Sequence, residues 1–127
     1  MGMYIFTKKI IENEPIPVFN NGKMKRDFTY IDDIIDGTIS AIEKNYKYEI
    51  FNLGNNKSEN LMDMIKLIEL EIGKKAKIEF RPLQDGDMIS TFANINHTIE
   101  KISYKPKTDI KDGIPKLVSW YKEYYNV

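Results

Sequence analysis

Apolar residues recur every three or four positions in several stretches of this chain, which is the pattern of amphipathic helices. The clearest stripe consists of Ile31, Ile34, Ile35, Ile39 and Ile42. Asp32 and Ser58 stand where N-caps are expected, and Gly73 stands where a C-cap is expected. The spacing predicts five helices, over residues 3–13, 32–44, 58–73, 96–102 and 108–125.

Short apolar runs bounded by proline, asparagine or glycine separate these helices and predict strands. They cover residues 16–19, 28–31, 49–53 and 77–80. Because short strands alternate with helices, the sequence predicts a small mixed α/β domain with about five helices, spanning residues 1–127. Strands this short seldom form a whole sheet, so we expect part of the sheet to be supplied from elsewhere.

The composition is that of one ordinary globular domain, with 42% hydrophobic and 30% charged residues. The net charge is zero, so nucleic acid and anionic membranes are not expected partners. Cysteine is absent and His97 is the single histidine, which excludes thiolate and two-histidine metal sites. No apolar run reaches the ~20 residues of a membrane helix. Because Lys8 and Lys9 also interrupt the first apolar run, we expect no signal peptide and a cytoplasmic protein.

Arginine is rare in this chain: of 19 basic residues, 17 are lysines, and only Arg26 and Arg81 are arginines. A planar guanidinium grips a phosphate or carboxylate with two parallel hydrogen bonds, which lysine cannot do. Arg26 therefore suggests an anion site, and we expect the adjacent Asp27 to hold its guanidinium. The alternative is an ordinary surface arginine at the start of a strand.

Three segments together contain the groups that a nucleoside diphosphate needs. They are Pro17-Val18-Phe19, Arg26-Asp27-Phe28-Thr29-Tyr30 and Arg81-Pro82-Leu83-Gln84-Asp85-Gly86-Asp87. They supply an aromatic wall, two cations able to bind in a bidentate manner, and a carboxylate for ribose hydroxyls. Taken singly, each has a structural alternative: core packing for Phe19 and Phe28, and turn formation for Asp85 and Gly86.

The run Gly22-Lys23-Met24-Lys25-Arg26-Asp27-Phe28-Thr29-Tyr30-Ile31-Asp32-Asp33 resembles a segment of the NAD-dependent epimerase/dehydratases, in the extended short-chain dehydrogenase/reductase class. The UDP-glucuronate 4-epimerase group of nucleotide-sugar epimerases is the most similar. Further motifs agree in order along the chain: Phe51-Asn52-Leu53-Gly54, Gln84-Asp85-Gly86-Asp87, Thr91-Phe92-Ala93-Asn94, Tyr104-Lys105-Pro106-Lys107-Thr108 and Trp120-Tyr121-Lys122-Glu123-Tyr124-Tyr125.

The resemblance covers only the carboxy-terminal, substrate-binding part of such an enzyme. It implies that Val18 and Phe19 line a uracil pocket, that Arg26 binds the pyrophosphate and that Asp87 holds the ribose. It also implies that Arg81 or Gln84 lies near the phosphates. The ligand would be UDP-glucuronate or a UDP-hexose, and NAD would be the cofactor of the complete enzyme.

Several features depart from the family pattern. Asn94 stands where the family has aspartate, and Ser103 stands where it has glycine. There is no glycine-rich dinucleotide motif, so we expect this chain to bind no NAD and to lack the Rossmann domain. Its one Tyr-x-x-x-Lys spacing, Tyr4 to Lys8, matches a segment after the family's active-site helix, so we expect no catalytic residue.

Three functions remain open from the sequence. The chain is either the UDP-sugar-binding part of an epimerase, inactive alone, or a free-standing UDP-sugar-binding module, or a remnant with a structural or interaction role. An amino-terminal Rossmann half is the expected partner under the first. Without it, the helix over 31–44 and the strand over 50–53 would leave apolar surface exposed, so we expect self-association.

Overall fold

Five α-helices, four short strands and one 3-10 turn make up the chain, which a computed structural model describes over residues 2–127. The helices are α1 (Gly2–Ile11), α2 (Ile31–Lys44), α3 (Leu61–Ile72), α4 (Asn96–Ile102) and α5 (Ile110–Tyr125). The strands are β1 (Pro15–Val18), β2 (Lys25–Asp27), β3 (Ser58–Asn60) and β4 (Lys77–Phe80), and the 3-10 turn covers Phe19–Gly22. This confirms the predicted small mixed α/β domain.

The strands form two separate pairs. β1 and β4 are parallel, with Ile16 opposite Ile78 and Val18 opposite Phe80. β2 and β3 are antiparallel, with Arg26 opposite Glu59. Parallel neighbours need a long crossover connection, and the strands of the parallel pair are accordingly distant in sequence.

The main core lies between the parallel strand pair and helices α1, α3 and α5. Its buried members are Phe6, Ile10, Ile16, Val18, Met64, Ile65, Ile68, Ile114 and Val118. A second, smaller cluster of Ile95, Ile102 and Tyr104 packs against the half-buried Phe51 and Leu53. The first cluster positions β1 and β4, and the second fixes the segments before and after α4.

Several predicted boundaries are confirmed. β4 and α4 have the predicted bounds, and Gly73 is the predicted C-cap of α3, with a φ of 76°, a left-handed conformation that glycine adopts readily. Asn94 Oδ1 accepts a hydrogen bond from the backbone N–H of Asn96 at 3.1 Å, which forms a turn before α4, but the N-cap position itself is held by Ile95.

Other predicted boundaries are wrong. The second strand lies over Lys25–Asp27, not over 28–31, because its backbone pairs with β3 and with Ile89. α2 begins at Ile31, so Asp32 lies in its first turn and is not the N-cap. Ser58 belongs to β3, and α3 begins only at Leu61.

The predicted strand over 49–53 is also wrong for the described chain, where this segment pairs with no other strand. It is held by other contacts: the carbonyl of Asn52 accepts a hydrogen bond from Thr98 Oγ1 at 2.8 Å, and the carbonyl of Gly54 accepts one from the Tyr104 hydroxyl at 3.0 Å. An extended segment becomes a strand only where a neighbour supplies the ladder.

One side of α2 carries exposed isoleucines. Ile31, Ile35, Ile39 and Ile42 are each between 46% and 71% exposed, and we call them the α2 isoleucine face. The predicted stripe is real, but within this chain it faces away from both cores. An apolar surface of this kind marks a contact site in many proteins.

Candidate functional site

The parallel strands β1 and β4 end at the same edge of the sheet, because Val18 lies opposite Phe80. Phe19 and Arg81 follow directly, so both leave the sheet at this edge. Two backbone hydrogen bonds join Arg81 to the residues on either side of Phe19 and Asn20. Arg81 N–H donates to the Val18 carbonyl at 2.9 Å, and Asn21 N–H donates to the Arg81 carbonyl at 3.2 Å. Ligands of α/β proteins commonly bind beyond the carboxyl ends of parallel strands.

A tight turn then returns the chain to the neighbouring strand pair. Asn20 and Asn21 have φ values of 50° and 49°, a left-handed conformation that asparagine tolerates well. The Asn20 side chain donates to the carbonyl of Lys23 at 2.9 Å and so closes the turn. β2 starts two residues later and carries Arg26.

Arg26 forms an ion pair with Asp87, whose carboxylate Oδ1 lies 2.8 Å from Arg26 Nη2. Arg26 Nη1 donates to the carbonyls of Lys25 at 2.8 Å and Ile89 at 3.4 Å. A guanidinium has five N–H donors, so within residues 2–127 these bonds leave two of them available to a ligand. The side chains of Arg26 and Asp87 are 26% and 33% exposed, so solvent reaches the pair.

The prediction that Asp27 holds the Arg26 guanidinium is wrong. Successive side chains of a strand point to opposite faces, and Asp27 turns away from Arg26. Its carboxylate accepts backbone N–H bonds from Asn55 at 2.9 Å, Asn56 at 3.1 Å and Ala93 at 3.0 Å. The sequence gives no local sign of this arrangement, because all three donors are distant along the chain.

The remaining predicted site residues are placed less tightly. Val18 is fully buried in the main core and its carbonyl accepts the Arg81 N–H, whereas Phe19 is half-buried. Arg81 is exposed and lies 3.0 Å from Glu79. Gln84 is exposed, and its carbonyl accepts a hydrogen bond from Asp87 N–H at 3.1 Å. The structure therefore joins Arg26 to Asp87, and joins Val18 to Arg81 through the backbone.

Tyr104 supports the segment that faces Asp27. Its hydroxyl donates to the Gly54 carbonyl at 3.0 Å. Burial raises the pKa of the Tyr104 hydroxyl to about 12, and the carboxylates of Asp33 and Asp27 contribute to the rise. Tyr104 therefore stays protonated at neutral pH and remains a hydrogen-bond donor.

The described residues do not form the cradle that a dinucleotide needs. Such a cradle is a glycine-rich turn from a strand to a helix N-terminus, where the pyrophosphate binds. Among the described helices, only α2 and α3 follow a strand closely: the linker before α2 (residues 28–30) contains no glycine, and α3 begins directly after β3. The first turns of these helices carry Asp32 and Asp33, and Asp63, whose charge would repel a pyrophosphate.

The described residues contain neither a cluster of metal ligands nor a membrane-spanning helix. Among residues 2–127, no three histidine, cysteine, aspartate or glutamate side chains gather closely enough to hold a metal ion. In the same part of the chain, none of the helices has the length and apolar character needed to cross a membrane.

Comparison with known proteins gives consistent results. Residues 3–54 match the NAD dependent epimerase/dehydratase family. Over 97% of its length the chain is 46% identical to an uncharacterized protein of Methanocaldococcus jannaschii and 40% identical to the UDP-glucuronate 4-epimerase of Thermodesulfobacterium geofontis. The chain spans 38% of each of these two relatives.

A solved structure also resembles the chain. It is the UDP-glucuronic acid 4-epimerase of Bacillus cereus in complex with UDP-glucuronic acid and NAD, with a TM-score of 0.91 and 31% identity. The superposition covers 98% of this chain and 40% of that enzyme. The predicted resemblance to the carboxy-terminal part of the NAD-dependent epimerase/dehydratase family is thus confirmed by sequence and by structure.

Proposed function

We propose that this chain is the UDP-sugar-binding part of a nucleotide-sugar epimerase of the UDP-glucuronate 4-epimerase kind. The observation that carries the proposal is the ion pair between Arg26 and Asp87, which are 61 residues apart in sequence. Together they offer a planar fork for a diphosphate and a carboxylate for ribose hydroxyls. The similar Bacillus cereus enzyme, in complex with UDP-glucuronic acid, supports this choice of ligand.

Each predicted site residue has a role in this proposal. Arg26 binds the pyrophosphate and Asp87 the ribose, while Phe19 flanks the uracil and the fully buried Val18 supports Phe19 from the core. Arg81 and Gln84 lie near the phosphates. Arg81 has to leave Glu79 for this role, and because the pair is exposed its loss costs at most about 1 kcal/mol.

Catalysis requires a second part of the enzyme under this proposal. Hydride transfer to and from the sugar needs a nicotinamide, and residues 2–127 do not fit NAD. We therefore infer that the chain is inactive alone and that an NAD-binding Rossmann half covers the α2 isoleucine face. When this half is absent, a second copy of the chain covers the same face.

Self-association is expected to depend on the α2 isoleucine face. Replacing Ile35 and Ile39 with lysine puts two charges on this face and should convert a dimer or higher oligomer to a monomer. Sedimentation velocity at several concentrations measures the change. Leu70→Lys is the matched control, because Leu70 is 75% exposed on α3 and lies outside the face. A monomeric unmodified chain would contradict this part of the proposal.

Asp87→Asn tests the proposed division of roles between Arg26 and Asp87. Loss of a charged hydrogen bond to the ribose should weaken the binding of UDP by about 1.5–3 kcal/mol. Inorganic diphosphate lacks a ribose, so its affinity should hold or increase, because Arg26 loses a competing carboxylate. Amide chemical shifts measured against both ligands give the two affinities.

Asp85→Asn is the control, since Asp85 lies exposed in the same loop and loses the same charge. It should change the affinity for UDP by less than about twofold, in keeping with a screened surface charge. If Asp87→Asn weakened the binding of UDP and of diphosphate equally, a contact between Asp87 and the ribose would be ruled out.

A further inference from the structure

Asp27 connects three segments of the chain at one point. Its Oδ1 accepts the N–H of Asn55, and its Oδ2 accepts those of Asn56 and Ala93, at 2.9–3.1 Å. Its own N–H donates to Thr91 Oγ1 at 3.3 Å. The partners lie 28 to 66 residues away in sequence, so one carboxylate joins β2 to the 54–56 turn and to the 91–93 segment.

The two joined segments also touch each other beside this carboxylate. A Cβ atom added to Gly54 would lie 2.3 Å from the Ala93 Cβ and 3.0 Å from Asp27 Oδ2. Gly54 is thus the residue that lets the turn approach both. Asn56 has a φ of 55°, a left-handed conformation that asparagine tolerates, so the chain turns directly after the two N–H groups that Asp27 binds.

The segment that Asp27 anchors also carries Asp87. Between Asp87 and Ala93, this segment bonds to the backbone of Lys25. The Lys25 N–H donates to the Ile89 carbonyl at 2.9 Å, and the Thr91 N–H donates to the Lys25 carbonyl at 3.2 Å. Residues 87–93 therefore run along β2, fastened by Arg26 at one end and by Asp27 at the other. Adjacent residues of one strand hold the two ends of this loop.

We propose that Asp27 is a positioning residue: by fixing residues 87–93 against β2, it keeps the Asp87 carboxylate and the Arg26 guanidinium in the arrangement that a nucleoside diphosphate requires. The inference rests on the proposed function and deepens it. Asp27 itself faces away from the ligand and acts only through this loop. A charged carboxylate suits the task, since it accepts three N–H bonds where an amide has one acceptor oxygen.

The test compares Asp27→Asn with Asp33→Asn. The Asp33 carboxylate also accepts two backbone N–H bonds, from Lys107 and Thr108, both at 3.0 Å, but these lie away from residues 87–93. Both variants should lower the melting temperature. Only Asp27→Asn should weaken UDP binding, by about tenfold or more, as expected when the Asp87 carboxylate no longer reaches the ribose.

A second readout does not depend on UDP. The Arg26 Nε–H signal in a ¹H–¹⁵N spectrum should be sharp in the unmodified chain and in Asp33→Asn. In Asp27→Asn it should be broadened by exchange between side-chain conformations. If UDP fails to bind the unmodified chain, the proposed function fails, while this signal still decides the positioning role. An unchanged Arg26 signal in Asp27→Asn overturns the inference.

Two other results also overturn it: UDP binding to Asp27→Asn at the unmodified affinity, or equal weakening by Asp33→Asn. Thr91→Val is the milder variant if Asp27→Asn does not fold. It removes the Oγ1 acceptor of the Asp27 N–H and should raise the Kd for UDP about threefold, as expected for the loss of one neutral hydrogen bond. An unchanged Kd in that variant counts against the inference.

Discussion

Gly54→Ala is expected to lower the free energy of unfolding by about 2–3 kcal/mol, the upper range for overpacking a tight contact. The added methyl group would lie 2.3 Å from the Ala93 Cβ, closer than two non-bonded carbon atoms can approach. Relief requires the 54–56 turn or the 91–93 segment to move, and either movement breaks bonds to Asp27. Urea unfolding followed by circular dichroism measures the loss.

Gly2→Ala is the matched control for this substitution. Its added methyl group meets its nearest neighbour, Phe6 Cε2, at 3.9 Å, an ordinary van der Waals distance, and alanine is favoured in a helix. The control should leave the free energy of unfolding unchanged or slightly raised. If Gly54→Ala were as stable as the unmodified chain, the close packing of these two segments would be wrong.

Arg26→Ala is expected to weaken UDP binding by about 1.5–3 kcal/mol, which corresponds to roughly a tenfold to hundredfold rise in Kd. The substitution removes the donors proposed for the pyrophosphate and leaves Asp87 without its cation. Arg26→Lys should recover only part of the loss, because lysine keeps the charge and lacks the planar fork. Amide shift titrations with UDP compare the variants on one scale.

Arg81→Ala provides the comparison for Arg26. Arg81 is 51% exposed and pairs with Glu79, so it should contribute less than about 1 kcal/mol to UDP binding. A larger effect at Arg81 than at Arg26 would move the phosphate site to the end of β4. Full affinity in Arg26→Lys would contradict bidentate binding.

The helices were predictable because their signals are local. The apolar stripe of α3 and the left-handed glycine at its end lie within one stretch of sequence, and the predicted bounds of α4 are those observed. Strands depend on partners elsewhere in the chain. β2 is defined by its pairing with β3 and Ile89, and residues 49–53 have strand-like residues without a neighbouring strand among residues 2–127.

The site was predictable in its residue types more than in its contacts. The scarcity of arginine drew attention to Arg26, and the family resemblance drew attention to Asp87. The pairing of Arg26 with Asp27 was wrong because neighbouring strand residues point to opposite faces. The role of Asp27 depends on N–H groups of Asn55, Asn56 and Ala93, which only the folded chain brings together.

The central claim is that this chain binds the UDP portion of a nucleotide sugar at Arg26 and Asp87. A protein-observed ¹H–¹⁵N titration with UDP-glucuronate tests it most directly, because one or two phosphate contacts give a Kd of roughly millimolar, within reach of amide shifts. The proposal predicts saturable shifts clustered at Phe19, Arg26 and residues 84–87. A folded protein whose spectrum does not change with UDP-glucuronate would contradict it.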